Sequence, residues 1–261
     1  MRQQRDAERK PQQQRRIRCC RRLQPWIHAD TEDDIGTAVR AMSGLDTRLT
    51  GTIRITTTDT LARGLLIPYL PGFRNDNPGI NLQVVVNNAF SSLTKREADV
   101  ALRGSNDPPP HLAGRQVRRM QTALYAARSY WRRHRSIADP ALHDWVTLDE
   151  NLGHLAQARW VAAHVPVERV AVQVDNLTAM VDAVKAGLGV GFLLCFLGDR
   201  DKDLVRVAEP MPALDTQLWI LTHPDLRRVA RIRTFTDYLY STLKRHPPVL
   251  APLGHGSAAR D

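Results

Sequence analysis

The stretch 51–103 alternates between strand-like and helix-like segments, and this alternation constrains the fold more than any other feature. Residues 51–57 alternate apolar and polar side chains and are rich in β-branched residues, which is typical of a strand. Residues 58–60 can cap a helix whose apolar face spans 61–73 until Asn-Pro-Gly at 77–79 ends it. A second strand at 80–86, a short helix at 91–96 and a third strand at 99–103 follow. This order predicts a parallel, wound α/β sheet.

The second half of the chain predicts further strands and helices. Asp175 and Asn176 can cap a helix at 177–186, Gly187 supplies a left-handed stop, and 189–194 reads as a buried strand. The other predicted elements are a long strand at 116–126, short helices at 130–134 and 139–144, strands at 170–174 and 217–222, and an amphipathic helix at 230–244. We expect the Pro-rich tail at 246–261 to be loose.

The positive charge is concentrated in the N-terminal segment. The chain has a formal net charge of +10, and residues 1–26 hold eight Arg and one Lys against Asp6 and Glu8, a net +7. This segment has no apolar period, so we expect it to be disordered. Non-specific nucleic-acid binding through this segment is one candidate function, and its affinity would fall steeply with salt.

The segment 30–49 predicts a helix that pairs subunits. It has an acidic start, which suits a helix N-terminus. A narrow apolar stripe recurs at spacings of four and three, which favours dimerisation against the same helix of a second chain; packing onto its own domain is the alternative. The stripe consists of Ile35, Val39, Met42, Leu45 and Leu49.

Cysteine usage and hydropathy predict a cytoplasmic protein. Cys19 and Cys20 are neighbours and poorly placed for an ordinary disulfide, and the third cysteine, Cys195, follows a buried strand. We expect Cys195 to be a thiol buried in the core rather than a catalytic nucleophile. The N-terminal segment lacks the apolar stretch of a secretory signal peptide. The longest apolar run, 186–198, is too short to span a bilayer.

Four stretches in this order resemble the effector domain of LysR-type transcriptional regulators. They are LTGTIRI at 49–55 with LLIPYLPGFR at 65–74, READVALR at 96–103, DNLTAMVDAVKAGLGVGFLL at 175–194 and LWILTHP at 218–224. Together they cover roughly residues 50–245.

The resemblance implies an α/β, two-lobed, periplasmic-binding-protein-like (type 2) effector domain at 50–245, preceded by a linker helix at 30–49. Lobe I would hold about 51–117 plus 215–245, and lobe II about 118–214. A small organic, carboxylate-bearing effector is expected between the lobes, in a homodimer or homotetramer. The family carries a helix-turn-helix ahead of the linker helix, whereas residues 1–26 cannot form one. We therefore expect promoter DNA as a partner if the native product carries a helix-turn-helix. Otherwise we expect a truncated copy of such a regulator without its own DNA-binding domain.

Candidate effector-binding residues follow from where strands end, because open α/β lobes bind ligands at the carboxyl ends of their strands. In lobe I this rule selects Thr57, Thr58, Asp59 and Thr60, which can also act as helix caps, and Arg103, which can pair with a carboxylate or with a surface acid. Asp59 would disfavour a strongly anionic ligand. In lobe II the candidates are Asn176, Thr178 and Phe192. The alternative for Asn176 is that it only caps the helix, and the alternative for Phe192 is that it packs in the core.

Two other classes of function are considered. A stand-alone small-molecule-binding protein of the same fold would need no DNA. An enzyme is the weaker alternative, because the glycines at 187–191 follow a helix and precede a strand, the reverse of a nucleotide-binding fingerprint. The histidines show no metal-ligand pairing with carboxylates. We expect neither a cofactor nor a metal.

Overall fold

Two five-stranded sheets organise the chain, one in each of two lobes. The computed structural model describes residues 48–87, 98–134 and 136–245. The sheet of lobe I contains β1 (Gly51–Thr57), β2 (Ile80–Val86), β3 (Val100–Gly104), β4 (Ala113–Met120) and β10 (Thr216–Thr222). The sheet of lobe II contains β5 (Thr122–Ala127), β6 (Trp145–Leu148), β7 (Val170–Val174), β8 (Val190–Leu194) and β9 (Leu204–Arg206).

The sheet of lobe I has the order β2-β1-β3-β10-β4. The first three of these strands run parallel, as the alternation of strands and helices predicted, while β10 is antiparallel to both of its neighbours. Ile53 and Ile55 of β1 are fully buried in the lobe I core. The C-terminal helix α7 (Ala230–Arg245) covers this core, with Phe235 packed edge-on against Phe73 at 5.0 Å between ring centroids.

The segment after β1 is helical but interrupted, because two prolines remove backbone donors. Helix α1 (Asp59–Leu61) continues as a π-helix (Ala62–Leu66) and a 3₁₀ turn (Ile67–Tyr69) before α2 (Leu70–Asp76). Pro68 has no N–H with which to bond the carbonyl of Gly64, and short π-helical turns are frequent at functional sites.

The sheet of lobe II has the order β7-β6-β8-β5-β9. Its helices are α3 (Arg128–His134), α4 (Ala156–His164), α5 (Leu177–Lys185) and α6 (Cys195–Gly198). One-turn 3₁₀ segments lie at Pro140–Leu142, Glu150–Leu152, Val167–Arg169 and Pro212–Leu214, and a further one, Pro224–Arg228, precedes α7 in lobe I. Gly187 has a φ of +84°, which confirms the left-handed stop after α5.

The chain crosses between the lobes twice, at Gln121 and at Asp215. The buried carboxylate of Asp215 accepts a hydrogen bond from the Thr122 amide at 3.2 Å and lies 3.6 Å from the Arg119 guanidinium. Asn106 bonds the Asp215 carbonyl at 2.9 Å. These contacts fasten the two crossing segments to each other and to the end of β3.

Several predicted elements differ from those observed. The single strand predicted at 116–126 is wrong: it is split into β4 and β5, which belong to different sheets, so the first crossing falls at Gln121 rather than after Val117. Four of the described strands and α-helices had no prediction, namely β6, α4, α6 and β9, and the same holds for the described 3₁₀ segments after Pro140–Leu142. The predicted helix at 91–96 and tail at 246–261 lie outside the described residues. So does the predicted helix at 30–49, except for Arg48 and Leu49, which are exposed and not helical.

Candidate functional site

A cleft of about 390 Å³ lies between the two lobes. Lobe I contributes residues just after β1 and residues at and after the end of β3, which are Thr58, Asp59, Thr60, Leu61, Arg103, Gly104, Ser105, Asn106 and Asp107. Lobe II contributes Leu152, His154, Leu155, Ala156, Gln157, Arg159, Leu177 and Leu194, and the crossing segments add Met120, Thr122 and Thr216. The walls thus combine an apolar surface with a few polar groups, as in most small-molecule sites.

The loop after β1 presents hydroxyl groups to the cleft. Thr58 is the N-cap residue of α1, but its side chain makes no capping bond; its hydroxyl lies 3.3 Å from that of Thr60. The Asp59 carboxylate accepts a hydrogen bond from the Thr60 amide at 2.8 Å. The Thr58 hydroxyl therefore does not cap the helix and bonds the Thr60 hydroxyl instead.

Arg103 places a buried cation in the cleft wall. Its side chain is 1% exposed and donates to the Thr56 hydroxyl at 2.8 Å and to the Asn87 carbonyl. Burial lowers the pKa of the Arg103 guanidinium to about 10, so it remains charged at neutral pH. A fixed positive charge at this position favours an anionic group in the cleft.

Asp59 reaches across the cleft to lobe II. Its second carboxylate oxygen accepts a hydrogen bond from the Thr178 amide at 3.4 Å, at the N-terminus of α5. Beside this contact, Arg200 of lobe II donates to the Gly64 carbonyl at 3.1 Å, the carbonyl that Pro68 leaves without its usual helical partner. A Cβ at Gly64 would lie 2.5 Å from the Phe196 ring, so glycine permits this close approach of the lobes.

The lobe II wall contains a helix start that the sequence did not reveal. Helix α4 begins after Leu155, an apolar residue without a capping side chain, which is why the usual signal of Ser, Thr, Asp or Asn was missing. Gln157 in its first turn is buried and lines the cleft, and Arg159 lies beside it.

The structure brings four of the eight predicted site residues to the cleft: Thr58, Asp59, Thr60 and Arg103. Thr57 is fully buried below it, and its hydroxyl has no hydrogen-bond partner among the described residues. A role of Thr58, Asp59, Thr60 and Arg103 in effector binding stays a prediction.

The three predicted lobe II residues lie elsewhere. The Asn176 side chain caps α5 by accepting from the Ala179 amide at 2.7 Å. Thr178 touches Asp59 through its backbone, but it lines a second cavity of about 390 Å³ behind that contact, beside Lys185 and Arg200. Phe192 is 2% exposed and packs edge-on against Trp160, because β8 is central in its sheet and both its faces are covered.

Metal and membrane features are missing from the described part of the chain. It contains no group of three or more His, Cys, Asp or Glu side chains that could hold a metal ion. No helix in the same part is long and apolar enough to cross a bilayer. Cys195 is buried in the lobe II core, as expected, and burial raises the pKa of its thiol.

Comparison with known proteins assigns the fold to a family. The family model described as the LysR substrate binding domain matches residues 46–244, which is most of the chain. The chain belongs to this family. Membership confirms the resemblance seen in the sequence, and the family and its fold are those of transcriptional regulators.

Two relatives of this chain are named as transcriptional regulators. The probable HTH-type transcriptional regulator LtrA of Klebsiella pneumoniae is 24% identical over 234 residues, which cover 83% of this chain and 75% of that protein. The HTH-type transcriptional regulator PgrR of Escherichia coli strain K12 is 31% identical over 81 residues, covering 31% of this chain and 25% of that protein.

Solved structures share the two-lobed fold of LysR regulatory domains. The CrgA regulatory domain of Neisseria meningitidis superimposes with a TM-score of 0.64 at 20% identity, covering 74% of this chain and 99% of that one. The effector domain of AmpR from Pseudomonas aeruginosa gives 0.63 at 18% identity, with coverage of 74% and 97%. The two-lobed, periplasmic-binding-protein-like fold expected from the sequence is confirmed.

Proposed function

We propose that this chain senses a small organic, carboxylate-bearing effector in the cleft between its lobes, and that binding changes transcription from a target promoter. The observation that carries the proposal is the cleft itself, whose walls come from both lobes and include Thr58, Arg103 and Gln157. A ligand that contacts both walls binds the closed arrangement of the lobes more tightly than an open one.

The proposed mechanism is a shift in population rather than a chemical reaction. A ligand moves an equilibrium only by its differential affinity for the two states. The lobes are joined at Gln121 and Asp215, so their relative angle is the quantity that a ligand in the cleft would change. The subunit pairing proposed for residues 30–49 would pass this change to bound promoter DNA.

A thermal-unfolding screen tests the effector site. A library of small organic acids should contain compounds that raise the unfolding midpoint, with a gain of about 2.7 kcal/mol in the free energy of unfolding at 100 times the Kd. Thr58→Ala should weaken binding of such a compound at least about fivefold, because one hydrogen bond to a ligand contributes about 1 kcal/mol.

The matched control is Thr52→Ala, at the exposed start of β1, the strand that Thr58 follows, and outside the cleft. It should leave the affinity unchanged within about twofold, given that distant surface substitutions rarely matter more. Equal affinities of the Thr58→Ala variant and the native chain would show that the ligand binds elsewhere. A library without a single stabilising compound would contradict the proposed function.

A further inference from the structure

A second cavity of about 390 Å³ takes its walls from both lobes. Lobe I contributes Thr60, Arg63 and Gly64. The last two belong to a short π-helical turn, and such turns are frequent at functional sites. Lobe II contributes residues of α5 and of the segment 196–203. The volume is in the range of small-molecule sites, and a ligand in this cavity would contact both lobes.

The side chains around the second cavity carry an excess of positive charge. Four basic side chains and two carboxylates line it, so the formal excess is two positive charges. Both carboxylates, Asp201 and Asp203, are bound by a single lysine, Lys185, at 2.8 and 3.3 Å. A concave surface with charges of one sign raises the local concentration of oppositely charged ligands. The basic residues that form no ion pair with a carboxylate among the described residues are Arg63, Arg200 and Lys202.

Arg200 links the lobes and keeps donors for a ligand. One of its terminal N–H groups donates to the Gly64 carbonyl of lobe I at 3.1 Å. A guanidinium group has five N–H donors, and the described residues accept from Arg200 only at this carbonyl. The planar fork of arginine matches the oxygens of a phosphate group. Arg200 can therefore bind a phosphate in the second cavity while it keeps its contact with Gly64.

Apolar side chains line the same cavity as the basic groups. They are Val181 of α5 together with Phe196 and Leu197 of α6. An apolar surface beside a cluster of positive charge favours a ligand whose phosphate group is attached to an apolar body, rather than a bare phosphate ion.

The second cavity is connected to the cleft. Thr60 lines both spaces. Asp59 lines the cleft and accepts a hydrogen bond at 3.4 Å from the amide of Thr178, which lines the second cavity. A ligand in either space therefore acts on the same contact between the lobes. Two ligands that favour the same arrangement of the lobes strengthen each other's binding by the same factor.

We propose that the second cavity binds a small phosphorylated compound with an apolar body, and that this ligand strengthens effector binding in the cleft. Arg63, Arg200 and Lys202 bind the phosphate, and Val181 and Leu197 contact the body. The phosphate site does not depend on the proposed function, whereas the coupling rests on it.

Phenyl phosphate is the probe for this site, and phenol is its uncharged counterpart. Isothermal titration calorimetry on the whole chain should show binding of phenyl phosphate and much weaker binding of phenol. Arg63→Gln and Arg200→Gln should each weaken phenyl phosphate binding at least about tenfold, because each removes a charge-assisted hydrogen bond. No binding of phenyl phosphate at millimolar concentration, or equal binding of phenol, would overturn the site.

The matched control is Arg228→Gln, which replaces an exposed arginine of lobe I outside both cavities. It changes the net charge by the same amount, but a distant exposed charge is screened by salt, so the affinity should stay within about twofold. Arg63 makes no hydrogen bond or ion pair with the described residues, so Arg63→Gln should also preserve the unfolding midpoint of the ligand-free chain. Equal affinities of the Arg63→Gln and Arg228→Gln variants would show that only net charge matters, and would overturn the site.

The coupling is measured with the organic acid that stabilises the chain most. Its affinity should rise at least about fivefold in saturating phenyl phosphate, and the affinity for phenyl phosphate should rise by the same factor in the saturating acid. Arg63→Gln should abolish both increases. An affinity for the acid that phenyl phosphate leaves unchanged or lowers would overturn the coupling.

The two proposals fail in different ways. If Thr58→Ala weakens binding of the acid but Arg63→Gln leaves phenyl phosphate binding intact, the phosphate site is wrong while the proposed function stands. If Arg63→Gln weakens phenyl phosphate binding but no organic acid stabilises the chain, the phosphate site stands, and the proposed sensing function fails together with the coupling.

Discussion

Replacing Arg206 with glutamine should lower the free energy of unfolding by about 3–5 kcal/mol, because it leaves a buried carboxylate without its charge partner. The Arg206 and Asp199 side chains are 8% and 3% exposed and form an ion pair in lobe II. Asp199 also accepts a hydrogen bond from the Tyr125 hydroxyl at 2.6 Å. Burial, and then the hydrogen bond to Asp199, raise the pKa of Tyr125, which keeps this group a neutral donor. Urea unfolding of the two proteins measures the difference.

Two controls separate the loss of the buried charge pair from a general effect of removing arginine. Arg169 forms an ion pair with Asp144 in which both side chains are about half exposed, so Arg169→Gln should cost less than about 1 kcal/mol. The double variant Asp199→Asn with Arg206→Gln should recover stability relative to Arg206→Gln alone, because no buried charge remains. An Arg206→Gln cost no larger than that of Arg169→Gln would contradict this account of the network.

Gly189→Ala should be about as damaging, at roughly 3 kcal/mol or more, because the added methyl group meets backbone rather than a side chain. Gly189 has a φ of +157°, and a Cβ there would lie 2.3 Å from the Asp144 carbonyl oxygen. That carbonyl accepts from the Val190 amide at 2.8 Å, so it cannot move without disturbing the start of β8. Thermal or urea unfolding measures the loss.

Gly187→Ala is the matched control two residues earlier. Its φ of +84° also disfavours a side chain, but the nearest atom to an added Cβ is the Ser129 hydroxyl oxygen at 3.6 Å, an ordinary contact. It should cost only about 1 kcal/mol. Equal losses in the two variants would mean that backbone angle alone, and not the contact with Asp144, requires glycine at 189.

The elements that were predicted correctly have local causes in the sequence. Residues 51–57 and 80–86 alternate apolar and polar side chains, and Asn176 and Gly187 mark the two ends of α5 by capping and by a positive φ. The position of Thr58 to Thr60 and of Arg103 in the cleft followed from one rule, that ligands bind where parallel strands end. Each of these inferences needs only a few neighbouring residues.

The features that were missed depend on contacts between distant parts of the chain. Nothing near residue 156 distinguishes the uncapped start of α4 from a loop, and its importance arises only because lobe I faces it. Thr178 and Phe192 were candidates because they belong to α5 and β8, with a core position as the alternative for Phe192. The sheet order buries Phe192, and Thr178 lines a second cavity. The split of 116–126 into β4 and β5 likewise requires knowledge of both sheets.

The central claim, that a small ligand binds between the lobes, is tested most directly by an amide NMR titration with the library compound that stabilises the chain most. The account predicts that the amide signals of Thr58 and Thr60 in lobe I and of Gln157 and Ala158 in lobe II shift together, with the same apparent Kd. Signals near Gln121 and Asp215, where the lobes join, should follow the same curve. Shifts confined to one lobe, or to surfaces away from the cleft, would contradict it.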